Sequence, residues 1–276
     1  MKTTAKNLNR HLEALGPFDP SDMSLREARA IRRAFYVDGL GYASPPRLLT
    51  LPESQHKLGM SARRAVGLTL APADMSGEWD ACTWRTAACT AACVLATAGK
   101  GVFENVREGR RAKTRFLADH PQAFVTLLDA ELRAQVAAHG PIDFRPNVAS
   151  DVRWENVAPM LLEIPQVRVY DYTKAPAAQR TPSENYRLVF SVSERARSTR
   201  EALDYLRSGS NAAVVFATIK GHALPATWHG FDVIDADTSD SRFDDPAGVV
   251  VGLRAKGSAR GVIGRADGFV KEGVAS

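Results

Sequence analysis

Cysteine is scarce in this chain: 276 residues contain only three. An odd and small set cannot cross-link a chain of this length, which excludes a disulfide scaffold of the secreted type. Long apolar runs are missing too. No stretch approaches the roughly 18 uninterrupted apolar residues that a membrane helix needs. The opening MKTTAKNLNRHLEALG lacks an apolar core followed by a small-residue cleavage site, so it does not read as a signal peptide. The chain is expected to be soluble and cytoplasmic, with no membrane partner. Also absent are a P-loop, a Gly-x-Ser-x-Gly elbow, a His-Glu-x-x-His pair and a Rossmann glycine fingerprint, which removes the commonest motif-bearing enzyme classes. No helix-turn-helix, RRM-like or zinc-finger pattern occurs, which argues against sequence-specific DNA reading.

What is present is ordinary for a globular protein: 45% hydrophobic and 24% charged residues. Lys and Arg exceed Asp and Glu by 36 to 31, a net charge of +5 that is compatible with a polyanionic partner without requiring one. Residues 1–60 read as a mainly helical N-terminal extension. Within it, Ser24 and Glu27 form a capping box that opens a helix over 24–36, which Gly39, Gly41 and Pro45-Pro46 break. Residues 48–51 make a short strand.

From residue 61 onward the pattern is that of a second unit, extending to residue 276. Apolar runs at 65–70, 144–148, 167–172, 186–191, 212–216, 231–234 and 248–253 read as strands. Helices are expected over 86–97, 103–138 with a break at Pro121, 154–162 and 198–206. The runs are continuous rather than alternating, as in strands covered on both faces. This predicts an α/β fold with a mostly parallel sheet. A complete or partial (β/α) barrel fits better than a Rossmann half, because no Gly-rich turn follows the first strand.

All three cysteines fall in one window, Cys82-Thr-Trp-Arg-Thr-Ala-Ala-Cys89-Thr-Ala-Ala-Cys93. On a helix Cys89 and Cys93 share a face, and Cys82 can fold back from the preceding loop. Three thiolates at the C-terminal end of the first strand make a soft-metal site. A [4Fe–4S] cluster on three cysteines would leave one iron open for a small molecule such as S-adenosylmethionine, while zinc would need a fourth ligand or a water. The plainer alternative is three buried thiols packed as small hydrophobes, and a redox role is the third.

Polar residues follow most strands, where α/β barrels place their chemistry. Asn147, Asp151, Lys174 and Asp235 are the candidate catalytic groups, able to supply acid–base chemistry or to hold a phosphate. Helix capping and turn formation are the competing roles of each. Residues 235–246 miss the calcium-loop template, with Asp240 where Gly is needed and Pro246 where Glu is needed. Arg107, Arg111 and Arg115 are four apart, and Arg111 and Arg115 are the candidate phosphate contacts, with a solvated helix face as the alternative.

The segments 67–77, 97–101, 110–116, 147–155, Tyr170-Asp-Tyr-Thr-Lys174, 185–191 and 235–245 together resemble the phage and plasmid proteins grouped around the gene product 88 family. The likeness runs from about residue 65 to 270. It implies a phage or mobile-element setting in the host cytoplasm, where nucleic-acid metabolism and modification are common tasks. At fold level, the cysteine position is similar to that of radical-SAM barrels, and the aspartates to those of base-exchanging transglycosylases, although the spacing departs from both. The leading expectation is a metal- or Fe–S-dependent enzyme acting on a nucleotide or nucleic acid. A non-enzymatic phage protein that binds nucleic acid or a host factor, with a structural zinc or no metal, is the second. A metal-free transferase or hydrolase is the third.

Overall fold

A computed structural model describes residues 4–260 and 267–272. The chain opens with a two-residue strand β1 (Lys6–Asn7) and helix α1 (Leu8–Leu15), whose first turn is capped by the Asn7 side chain accepting from the Arg10 N–H. Helix α2 (Leu25–Arg33) begins, as its capping box predicts, with the Ser24 hydroxyl accepting from the Glu27 N–H, and a π-helical turn (Ala34–Gly39) extends it. Strands β2 (Leu49–Thr50), β3 (Ala65–Leu68) and β4 (Trp79–Asp80) follow.

The cysteine window then forms two short helices, α3 (Ala87–Ala91) and α4 (Val94–Thr97). Two long ones come next, α5 (Glu104–Asp119) and α6 (Pro121–His139). Pro121 divides them because it fits a first helical turn and no other. Gly140 stops α6 at φ 74°, a backbone angle that costs glycine nothing. Strand β5 (Ile142–Arg145), helix α7 (Trp154–Val157) and strands β6 (Val167–Thr173) and β7 (Tyr186–Ser191) lead to helix α8 (Ala196–Arg207). Strands β8 (Asn211–Phe216), β9 (Thr227–Trp228), β10 (Phe231–Asp235) and β11 (Val250–Arg254) complete the series.

Among the described residues nine strands form one sheet in the order β2-β3-β5-β6-β7-β8-β11-β10-β9. Strands β3 to β10 of this series run parallel, and the two-residue edge strands β2 and β9 are antiparallel to their neighbours. The seven predicted parallel strands are all present. The complete barrel is not: among the described residues β2 and β9 stand at opposite edges without pairing to each other, so the sheet is open. Its first five parallel strands step sideways in sequence order, as in a barrel, but β11 inserts between β8 and β10 and reverses the progression.

That reversal has a structural consequence. Parallel crossovers are right-handed, so a connection that steps backward passes over the other face of the sheet. Residues 236–249, joining β10 to β11, accordingly form a strap on the face opposite α5 and α6. Here Asp240 reaches Arg145 and Tyr170, Ser241 reaches Asp143, and Asp244 reaches Arg168.

The two faces differ in chemistry. On the helical side Val66, Leu68, Phe144, Val169 and Leu188 pack with Phe116, Phe124, Leu128 and Leu132 in the largest core. Leu8, Leu12, Phe18, Tyr36 and Leu48 of the N-terminal segment lie in that same core. Lys113 and Glu131 fasten this segment through the Leu48 carbonyl and the Leu48 and Leu49 N–H groups. On the strapped side the alternate residues Asp143, Arg145, Arg168, Tyr170, Tyr172 and Arg187 replace an apolar core with ion pairs.

Candidate functional site at the C-terminal edge of the sheet

Asn147, Asp151 and Lys174 are brought together just beyond β5 and β6. Asn147 is buried, and its backbone N–H and side-chain Nδ2 donate to the Asp171 carboxylate at 2.9 and 2.7 Å. Its Oδ1 accepts from Ser150 and from the Val152 N–H, so this side chain holds the loop in shape. The Asp151 carboxylate accepts from Thr173, from the Lys174 N–H and from Arg180.

Arg180 also forks onto Glu155, with Nε at 2.5 Å and Nη2 at 3.1 Å, and reaches Tyr186, whose hydroxyl donates to Asp171. Every charged member of this network is buried. Burial pushes the Asp171 carboxyl up to about 7, against the charges of Arg145 and Arg180, and it raises Asp151 as well. The network is saturated with internal partners. It fixes the β5 and β6 ends relative to α7, and the Lys174 side chain emerges from it toward the rim. Lys174 Nζ donates to the Ser191 hydroxyl at 2.6 Å and lies 5.6 Å from the Phe269 ring.

Asp235 is elsewhere. It ends β10, four strand positions from β6 in the sheet, which at roughly 4.8 Å per strand is about 19 Å. There Arg254 bridges Asp235 and Asp237, and Lys256 Nζ meets Asp237 at 2.5 Å. The strap carries Asp240 from this corner back across the face to Arg145 Nη1 at 3.1 Å and Tyr170 Oη at 2.7 Å. Burial opposes ionisation of Asp240, yet the charges of Arg145 and Lys57 and the Tyr170 hydroxyl hold its carboxyl below the usual range. Lys57 stands 3.9 Å from the same carboxylate, and its amine is pushed down to about 8, chiefly by burial.

The cysteine window lies beside this edge. The single helix expected over 86–97 is broken: Ala92 ends α3, and Cys93, at ψ 106° and so outside the helical region, precedes α4. Cys89 and Cys93 therefore do not share one helical face. Cys82 Sγ accepts from the Ala73 N–H at 3.2 Å and donates to the Ala149 carbonyl at 3.3 Å. Burial raises the Cys82 and Cys93 thiols; the neighbouring Cys89 and Cys93 add to the rise at Cys82, and Cys89 to that at Cys93. Backbone N–H groups of Leu95 and Ala96 oppose that rise at Cys93. Among the described residues no three His, Cys, Asp or Glu side chains are gathered into a group that could hold a metal ion.

The arginine stripe is occupied only in part. Arg111 pairs with Glu104 and Glu108 and donates to the Met75 carbonyl, whereas the Arg115 Nε is buried without a hydrogen-bond partner among the described residues. Arg107 and Arg110 donate to the carbonyls of Leu95, Ala96 and Gly101, so α5 clamps the cysteine-bearing segment.

Sequence reasoning missed Lys57, Arg145, Tyr172, Glu155, Arg180 and Tyr186. A signal existed for two of them: Ile-Asp-Phe-Arg145 and Val-Arg-Val-Tyr-Asp-Tyr172 alternate apolar with charged or aromatic residues at the same phase in neighbouring strands.

A cavity of about 540 Å³ opens on the helical side, where the β6–β7 connection brings one 3-10 turn (Ala177–Gln179) instead of a full helix. It is lined by Arg180, Tyr186, Leu188, Tyr205 and Asn211, at the N-terminal ends of β7 and β8, and Arg180 and Tyr186 join it to the Asp151–Asp171 network. No helix among the described residues is long and apolar enough to cross a membrane.

These features define an open-sheet α/β protein with its polar groups collected at the carboxyl ends of parallel strands. The gene product 88 family model matches residues 46–271, and the chain belongs to that family. No curated protein and no solved structure matches it.

Proposed function

We propose that this protein is an enzyme of a phage or mobile-element setting that acts on a nucleotide or nucleic acid at the C-terminal edge of its sheet, with Cys82, Cys89 and Cys93 as ligands of a soft metal or iron–sulfur cluster. The observation that carries this reading is the environment of the thiols. All three lie within electrostatic reach of one another, and Cys82 and Cys93 have backbone N–H groups directed at sulfur. Such N–H groups stabilise a thiolate and tune a bound cluster.

The donors fit the group in kind, while their spacing requires the short α3–α4 segment to draw in when a metal binds. A three-cysteine cluster, when bound, supplies an open iron for a small-molecule ligand such as S-adenosylmethionine. Lys174 and Lys57 then face the edge where the substrate is handled, and the Asp151–Arg180–Glu155 network keeps that edge rigid. Pairing with Glu104 and Glu108 counts against Arg111 as a phosphate contact.

The test is metal content after anaerobic purification and reconstitution with iron and sulfide. Wild-type protein is expected to gain iron and broad visible absorption, and Cys82→Ala, Cys89→Ala and Cys93→Ala to lose both. Protein that takes up neither iron nor zinc overturns the cofactor.

A further inference from the structure

The strapped face carries a cluster that the cysteine-based reading does not use. Two buried donor atoms there make no hydrogen bond, and a partly exposed lysine beside them makes only a long ion pair. Lys57 Nζ makes no hydrogen bond among the described residues, its nearest carboxylate oxygen being that of Asp240 at 3.9 Å. The Tyr172 hydroxyl is buried without a partner, and Arg145 Nε makes no hydrogen bond, with the Asp171 carboxylate 3.8 Å away. They belong to one place: Lys57 and Arg145 share the Asp240 Oδ1 atom, and the Arg145 guanidinium lies 4.7 Å from the centre of the Tyr172 ring.

Buried polar groups in folded proteins are nearly always paired, so a cluster of unpaired donors calls for an acceptor that the chain does not provide. Asp240 cannot supply it, because Arg145 and Tyr170 already take its oxygens. Lys57 is the reachable member, with 28% of its side chain exposed, and Lys256 stands nearby at the end of β11 on Asp237.

We infer that Lys57, Arg145 and Tyr172 form a subsite for a compact tetrahedral oxyanion, the terminal phosphate of a mononucleotide. The donors come from three elements, the segment before β3, the end of β5 and the end of β6, with Arg145 linking the other two through Asp240 and the Tyr172 ring. That arrangement suits the three free oxygens of a terminal phosphate better than the two of a carboxylate. It also differs from the line of cations that follows a nucleic-acid backbone. An amine that burial has made easier to deprotonate regains its full charge beside such a dianion.

The inference rests on the reading that substrate is handled at this edge, but it requires no metal. Titration of the as-purified full chain with pyrophosphate, followed by calorimetry and phosphorus NMR, tests it. Saturable binding is expected, with ADP competing and an oligonucleotide lacking terminal phosphates failing to compete. Lys57→Met is expected to weaken binding at least tenfold, Tyr172→Phe about threefold, and Lys57→Arg less than Lys57→Met; exposed Lys220→Met serves as the control and leaves affinity unchanged. Thermal melting of each variant separates lost binding from lost fold.

Absence of pyrophosphate binding overturns the subsite, and so does equal affinity in well-folded Lys57→Met and Tyr172→Phe. Competition by the oligonucleotide as strong as that by ADP replaces the terminal phosphate with a backbone. Pyrophosphate bound through Lys57 by a protein that takes up no metal removes the cofactor alone; metal uptake without pyrophosphate binding removes the subsite alone.

Discussion

Asp171 shows how a single side chain sets a pH response. Unfolded, its carboxyl titrates near 3.8, whereas burial in the native network raises it to about 7. The folded state therefore holds the proton over a range where the unfolded state has released it. The stability this contributes is fully present below about pH 4 and is lost as pH rises to about 7, at about 1.4 kcal/mol per unit of displacement. Asp171→Asn, which keeps an acceptor for the Asn147 N–H, is expected to remove that decline. Urea unfolding at pH 5 and pH 8 checks it: the wild type should lose more stability than the variant between the two, and parallel losses would refute the assignment. Gly101 is constrained in a different way. A Cβ there would stand 1.9 Å from the Leu95 carbonyl oxygen, so Gly101→Ala is expected to displace the α4 segment at a cost of about 1–3 kcal/mol, read by thermal melting.

Among elements, α5 illustrates what spacing reveals and what it hides. The four-residue interval of Arg107, Arg111 and Arg115 correctly marks a helix. It does not disclose that Glu104 and Glu108 neutralise Arg111, nor that Arg107 and Arg110 spend their donors on the carbonyls that end α4. Composition cannot distinguish a solvent-facing stripe from an internal clamp, because the acceptors are backbone atoms of a distant segment. The clamp makes a measurable claim: Arg110→Ala is expected to loosen the α4 segment and speed labelling of Cys93 by a thiol reagent several-fold, with the rate at Cys82 changed less. The strands were legible for a related reason. Most of the seven apolar runs form buried strands, and their composition records that burial. Helix 86–97 was read too long because Ala-rich sequence favours helix throughout, and the turn at Ala92 and Cys93 is imposed by packing.

At the scale of the whole molecule, lateral strand order was not readable. Nothing local in 248–253 says that this strand inserts between two earlier ones, and that insertion leaves the sheet open and sends the strap across its bare face. Asn147, Asp151 and Lys174 were legible as strand-end residues because they follow apolar runs. Lys57, Arg145 and Tyr172 were missed because their burial arises only when the strap closes over them. The N-terminal segment is bound into the main core through Leu8, Leu12, Phe18 and Tyr36, each worth about 2 kcal/mol when buried. Together these rival a typical net stability of about 5–15 kcal/mol. Deletion of residues 1–44 is expected to abolish cooperative unfolding, monitored by near-ultraviolet circular dichroism, even though the family match begins at residue 46.

Each margin of the sheet ends in a strand of only two residues that runs against its neighbour, Leu49–Thr50 on one side and Thr227–Trp228 on the other. A foreign strand arriving at either border finds a template too short to nucleate a ladder. Concentrated solutions of the protein should thus resist fibril growth despite the many apolar strands within.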